Sequence, residues 1–168
     1  VIQAASDIAD KDGLNNVSLK VVAERLNIRT PSLYNHIDSL EDLLREIAHS
    51  GMRAMNESMT LAAIGKTGDA AIKSVGIEYL NYMIKHSGVY EETGEIFGNY
   101  LSLLTTLIHS CGFNPDSTNE ILNIITGFLH GYTTLQLRYA FSEPDRVRNE
   151  LNTALDTLLA GVHIKYNK

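Results

Sequence analysis

SLKVVAERLNIRTPSLYNHI, residues 18–37, decides the fold. Ser18 is a side chain suited to capping a helix start. Val22, Ala23 and Leu26 recur behind it at helical spacing, so a helix is expected over 19–26. Asn27-Ile28-Arg29 leaves room only for a sharp turn, and Asn tolerates the left-handed backbone that such turns need. Thr30 is expected to cap a short helix over 31–37. Pro31 then takes its first position, where a missing N–H costs nothing. Two helices joined by a three-residue turn have helix-turn-helix dimensions.

That motif needs apolar residues to lock its two helices, and Val22, Ala23, Leu26, Ile28, Leu33 and Ile37 can supply them. It also needs short polar or aromatic side chains facing out from the second helix. Ser32, Asn35 and His36 fit, with Thr30, Pro31 and Tyr34 beside them. An Asn amide can pair with adenine in a bidentate way, and the Pro ring or the Thr methyl can touch thymine methyls. Ser and Tyr hydroxyls suit phosphate oxygens, and Lys20 in the first helix can reach one too. Spacing alone also fits two plainly packed helices.

Upstream, Ile2, Ala5, Ile8 and Ala9 share one helical face, so 1–12 reads as a helix ended by Gly13. Downstream, Ser39 with Asp42 approximates a capping box. A long helix over 40–61 follows, with Leu43, Leu44, Ile47 and Met55 as its spine. IGKTGD (64–69) reads as a loop. Further helices are expected over 70–86, 95–110, 118–141 and 143–164, with a short helix or turn over 87–94. Ser117 with Glu120, and Ser142 with Asp145, look like capping boxes. The chain shows no strand pattern and no repeat, so the class is all-α.

Composition fits this. Of 168 residues, 44% are hydrophobic and 20% charged, enough apolar material for a core and too little charge for disorder. Prolines number only 3, which disfavours a turn-rich β architecture. The single cysteine, Cys111, cannot form an internal disulfide; it reads as a small buried hydrophobe in a reducing cytoplasm. The apolar tract 121–141 is interrupted by Asn123, Thr126, His130 and Gln136, so no membrane span is expected. The chain begins at Val1 within an amphipathic helix, so upstream residues are expected.

Residues 1–50 resemble the DNA-binding domain of TetR-family transcriptional regulators. The resemblance rests on Ile2-Gln3-Ala4-Ala5, Gly13, Ser18, Val22-Ala23-Glu24-Arg25-Leu26-Asn27-Ile28, and Leu33-Tyr34-Asn35-His36-Ile37 through Leu43. Asn27 stands where the family has Gly, Ile37 where it has Phe, and Leu40 where it has a phosphate-binding Lys. The resemblance implies a three-helix DNA-binding domain over 1–50 and a C-terminal ligand-binding and dimerisation domain over 51–168. It assigns double-stranded DNA contact to Lys20, Thr30, Pro31, Ser32, Tyr34, Asn35 and His36. In residues 1–50, five basic side chains stand against eight acidic ones, a net of −3. Phosphate attraction supplies most non-specific affinity, so modest DNA affinity is expected without a basic arm.

The segment 118–141 is apolar nearly all round and needs burial on every side. In TetR-like proteins this helix and the next usually build a four-helix bundle with a second copy. That implies a homodimer through Ile121, Ile125, Phe128, Tyr132, Leu151, Leu155 and Leu158. Leu129-His130-Gly131, with Glu78-Tyr79-Leu80 and His86 through Tyr90, resembles a C-terminal domain type named for a Trp-His-Gly motif. The family further implies a small-molecule effector among Met55, Met59, Tyr79, Tyr82, Met83, His86, Tyr100, Leu104, Thr126 and His130. These same residues also read as ordinary core. The expected function is a repressor released from a palindromic operator by its effector. The other reading is a ligand- or protein-binding module of the same fold with weak or lost DNA contact. No phosphate loop, nucleophile elbow or metal-ligand spacing is present, so no enzyme chemistry, cofactor or metal is expected.

Overall fold

The computed structural model describes residues 1–87, 98–139 and 143–166, and among these all regular structure is helical. The α-helices are α1 (Ile2–Asp12), α2 (Leu19–Leu26), α3 (Leu40–Ala63), α4 (Gly68–Lys85), α5 (Gly98–Ser110), α6 (Thr118–Tyr139) and α7 (Pro144–Tyr166). Short 3-10 helices occupy Leu14–Asn16, Thr30–Asn35 and Pro115–Ser117. The chain forms two compact units, Val1–Ala54 with Lys85–Ile96, and Met55–Ile84 with Phe97–Lys168.

The first unit is built on α1, α2, the 3-10 helix Thr30–Asn35 and the start of α3. Its core gathers Ala5, Ile8, Val22, Ala23, Leu33, Ile37, Leu43 and Ile47, all buried. Ser18 caps α2 as expected, accepting from the Val21 N–H at 3.3 Å. Asn27 ends α2 in left-handed geometry, φ 53 and ψ 43. The Ile28 N–H then reaches back to the Ala23 carbonyl at 3.0 Å, the six-to-one bond of a Schellman turn.

The second helix of the motif differs from its expected form. It is a 3-10 helix over Thr30–Asn35 rather than an α-helix over 31–37. Arg29 occupies the cap position without a side-chain bond, and Thr30 already lies inside. The bonds Ser32 N–H to Arg29 O (2.9 Å) and His36 N–H to Leu33 O (2.8 Å) span three residues, not four. A segment of six residues is too short to sustain an α ladder, which favours the tighter form.

Ser39 starts α3 by accepting from the Asp42 N–H at 3.0 Å. Asp42 replies one residue earlier than the usual box, accepting from the Asp38 N–H at 3.1 Å. The helix continues to Ala63, two residues past the expected end. Ile28 was expected to lock the motif but is 40% exposed, because the Schellman turn carries it out of the core.

In the second unit, the core is supplied by Ile72, Val75, Tyr79 and Leu80 of α4, Leu104 and Ile108 of α5, Ile121, Ile125 and Leu129 of α6, and Leu151 and Leu155 of α7. Gly76 lets α4 approach the others closely: a Cβ there would lie 2.9 Å from Leu129 Cδ2 and 3.1 Å from Leu155 Cδ1. Polar ties join the helix ends. Asp69 holds His163 Nε2 at 2.9 Å, Lys73 meets Asp156 at 2.5 Å, and the Tyr166 hydroxyl donates to Glu120 Oε2 at 2.9 Å. Glu120 is thus turned toward α7. Asn114 caps the 3-10 helix Pro115–Ser117, its side chain accepting from the Asp116 N–H at 3.0 Å. Ser142 and most of the expected 87–94 segment, including Gly88-Val89-Tyr90, lie outside the described residues.

Candidate functional site

The turn and the 3-10 helix present one continuous exposed edge. Pro31, Ser32, Asn35 and His36 are exposed, Tyr34 is 56% exposed and Thr30 is half-buried. Beneath them Leu33 and Ile37 are buried and anchor the segment to α1, α2 and α3. Both anchors come from the same few residues as the exposed edge, so packing fixes where that edge points. No acidic residue occurs from Arg25 to Ile37. Short hydroxyls, an amide, an imidazole and a phenol ring on a firm mount can contact base edges and phosphates at close range.

Lys20 stands in the first turn of α2, exposed, 3.9 Å from Glu24, which is exposed too. A pair this open and this long holds little energy, so the ammonium stays free to meet another anion. Arg25 and Arg29 are also exposed and flank the edge, a feature the residue-by-residue reading left out. Their signal was the acid-free run itself. Leu40, where TetR-like proteins carry Lys, is half-buried and packs on the core of the first unit.

The effector candidates separate. Met55, Met59, Tyr79, Met83, Tyr100 and Leu104 are buried in the second unit, and Tyr82, Thr126 and His130 are half-buried there. Tyr79 brings three helices together: its ring lies 5.6 Å from that of Tyr100, and its hydroxyl lies 3.4 Å from His130 Nδ1. Thr126 commits its hydroxyl to the Leu122 carbonyl at 2.8 Å. His86 does not join this group. It belongs to the first unit, where its Nδ1 lies 2.6 Å from Asp10 Oδ2 of α1, because a carboxylate is a stronger partner for imidazole than an apolar core.

The residues assigned to a dimer interface also separate. Ile121, Ile125, Leu151 and Leu155 are buried within the chain's own second unit and have no surface to offer a partner. Phe128, Tyr132 and Leu158 are half-buried, and Leu135 is 53% exposed. Asn123, Gly127, Gly131 and Leu135, four apart on α6, form an exposed stripe, and a Cβ on either glycine would meet open space.

Cys111 is half-buried rather than fully enclosed. Its thiol donates to the Leu107 carbonyl at 3.4 Å and faces Asp69 Oδ1 at 3.8 Å. Burial, and then the charge of Asp69 and its hydrogen bond, push the thiol from 9.0 up to about 11. It remains a protonated, weakly nucleophilic group at neutral pH.

No family model matches the chain. It is 29% identical over 174 residues to YobS of Bacillus subtilis (strain 168), an uncharacterised HTH-type transcriptional regulator, covering 98% of this chain and 91% of that protein. A TetR variant from Acinetobacter baumannii AYE, solved in complex with minocycline, superposes with a TM-score of 0.68 at 22% identity, covering 95% of this chain and 92% of that one. A possible TetR family transcriptional regulator from Streptomyces coelicolor A3(2) superposes with a TM-score of 0.69 at 16% identity, covering 97% of both chains.

Proposed function

We propose that this chain, a TetR-family protein by fold and similar along its length to an HTH-type transcriptional regulator, is a homodimeric repressor that a small molecule releases from a palindromic operator. One observation carries the reading. The edge from Thr30 to His36 is exposed and acid-free, and it rides on the two buried anchors Leu33 and Ile37. Such an edge fits a major groove, where short side chains permit close approach. Lys20 and Arg29 supply phosphate contacts beside it.

A second copy docks on the exposed stripe of α6 with Phe128, Tyr132 and Leu158 around it. A two-fold pair presents two recognition segments to two half-sites. The effector binds in the second unit among the side chains around Tyr79, as the minocycline complex of the TetR variant suggests by analogy. Binding favours a conformer whose recognition segments are misplaced for the two half-sites, and DNA is released.

A gel shift with the DNA upstream of the chain's own gene tests this. Retardation at low salt that weakens steeply as salt rises supports the reading. Sedimentation of the free protein as a monomer at micromolar concentration counts against the dimer. The other reading draws on the net of −3 over residues 1–50 and on Leu40 serving the core. A module with little DNA affinity would leave that DNA unshifted at low salt without effector.

A further inference from the structure

Thr133 in α6 is only 1% exposed, and its hydroxyl has no hydrogen-bond partner. It shares this state with Thr118 and Thr134 of the same helix, whose buried hydroxyls are also unpaired, and differs from six other helical threonines. Thr60, Thr105, Thr106, Thr126, Thr153 and Thr157 each donate to the carbonyl four residues back, at 2.7–3.1 Å. Thr133 forgoes that bond, so its hydroxyl is carried away from its own helix backbone. A buried hydroxyl left unpaired costs about 1–3 kcal/mol. Three residues on, the side-chain oxygen of Gln136 is likewise buried without a partner.

The placement of these two groups follows from their neighbours. Leu129, four residues before Thr133, lies against α4 at Gly76. Residues four apart share a helix face, so Thr133 continues that face along α4. His130, three residues before it, already meets the Tyr79 hydroxyl of α4. The buried residues that α4 supplies here are Val75, Tyr79, Leu80 and Met83, none of them charged. The charged groups Lys73 and Glu78 of α4 are engaged elsewhere, with Asp156 and Ser58.

We propose that Thr133, with Gln136 beside it, is the polar anchor of a small-molecule site on the α4-facing side of α6. The site takes a neutral, mostly apolar ligand bearing a hydroxyl. A threonine hydroxyl both donates and accepts, and an amide offers either role, so a ligand hydroxyl can satisfy both groups. A charged ligand would be buried there without a counter-ion, at high cost. The methionine Met83 is flexible enough to yield to an incoming ring. This inference rests on reading the second unit as the effector-binding part of a regulator.

The test uses the whole chain with three probes: 4-propylphenol, propylbenzene, which lacks the hydroxyl, and 4-propylbenzoate, which is charged. Titration calorimetry or ligand-observed NMR should show propylphenol binding best. Thr133→Val should weaken propylphenol by about three- to tenfold, the net value of one hydrogen bond, and leave propylbenzene unchanged. Thr133→Ser should restore the preference. Without ligand, Thr133→Val should melt at the wild-type temperature or above, since it removes an unpaired buried group. Failure of propylphenol to bind, equal binding by wild type and Thr133→Val, or a lowered melting temperature for the valine variant overturns the proposal. If the hydroxyl preference holds but propylphenol leaves the operator shift unchanged, the anchor stands and the effector reading falls.

Discussion

Gly76 of α4 and Leu129 of α6 meet so closely that the helix has no space for a side chain between them: a Cβ would stand 2.9 Å from Leu129 Cδ2. Leu155 closes the other side at 3.1 Å. Gly76→Val should therefore overpack this junction and cost about 2 kcal/mol. The thermal midpoint should fall by roughly 4–8 °C for a chain of this size. Gly76→Ala should cost much less, because the leucine ends can shift and alanine regains up to about 1 kcal/mol of helix propensity. An unchanged midpoint for the valine variant would show that α4 does not pack this tightly.

Cys111 should resist alkylation. With its thiol at about 11 instead of 9.0, iodoacetamide at pH 8 should react about 100-fold more slowly than with a free cysteine. Asp69→Asn should speed the reaction, since Asp69 contributes charge and a hydrogen bond to the shift. The folded thiol holds its proton more tightly than the unfolded one. This contribution to stability is complete below pH 9 and is lost as pH rises toward 11. Rates followed by mass spectrometry across pH 7–11 check both points.

Asn27 is the only described non-glycine residue with positive φ. Asn27→Gly should leave stability unchanged or slightly raised, since glycine takes this geometry at no steric cost. Asn27→Ala should lose about 1 kcal/mol, read as a lower midpoint in urea. Equal midpoints for the two variants would mean that the turn is not left-handed in solution.

Leu40→Lys should add a phosphate contact at the start of α3. The slope of log affinity against log salt should steepen by about one unit. The four-carbon stem can keep part of the packing that Leu40 makes, so stability should drop by less than about 1 kcal/mol. By contrast, Asn35→Ala should weaken operator binding with little change in that slope. A slope that does not move in the lysine variant would place the start of α3 away from DNA.

Helix order, the Ser18 and Ser39 caps and the anchors Leu33 and Ile37 are all legible in the sequence, because each is a local pattern of spacing or capping. Four things are not. The 3-10 form of Thr30–Asn35 depends on how a six-residue segment balances two ladders, a matter of small energies around Pro31. The outward turn of Ile28 follows from a backbone bond between Ile28 and Ala23, which no side chain announces. Burial inside the chain and burial against a partner both demand apolar residues, so Ile121 and Leu151 read the same in either role until the fold places them inside. His86 is a fourth case: its partner Asp10 is 76 residues away.

The 3-10 form of Thr30–Asn35 has a metrical consequence. With three residues per turn, side chains three apart stand in register, so Ser32 lies in line with Asn35 and Pro31 with Tyr34. Each such pair is separated by three rises of about 2.0 Å, roughly 6 Å along the axis. Two base-pair steps along one strand measure about 6.8 Å. An edge of this pitch is a short comb whose spacing matches two bases: one row is hydroxyl then amide, the other pyrrolidine then phenol. Replacing it with a true α-helix would rotate the teeth out of line by about 60° per step of three and spread them around the axis.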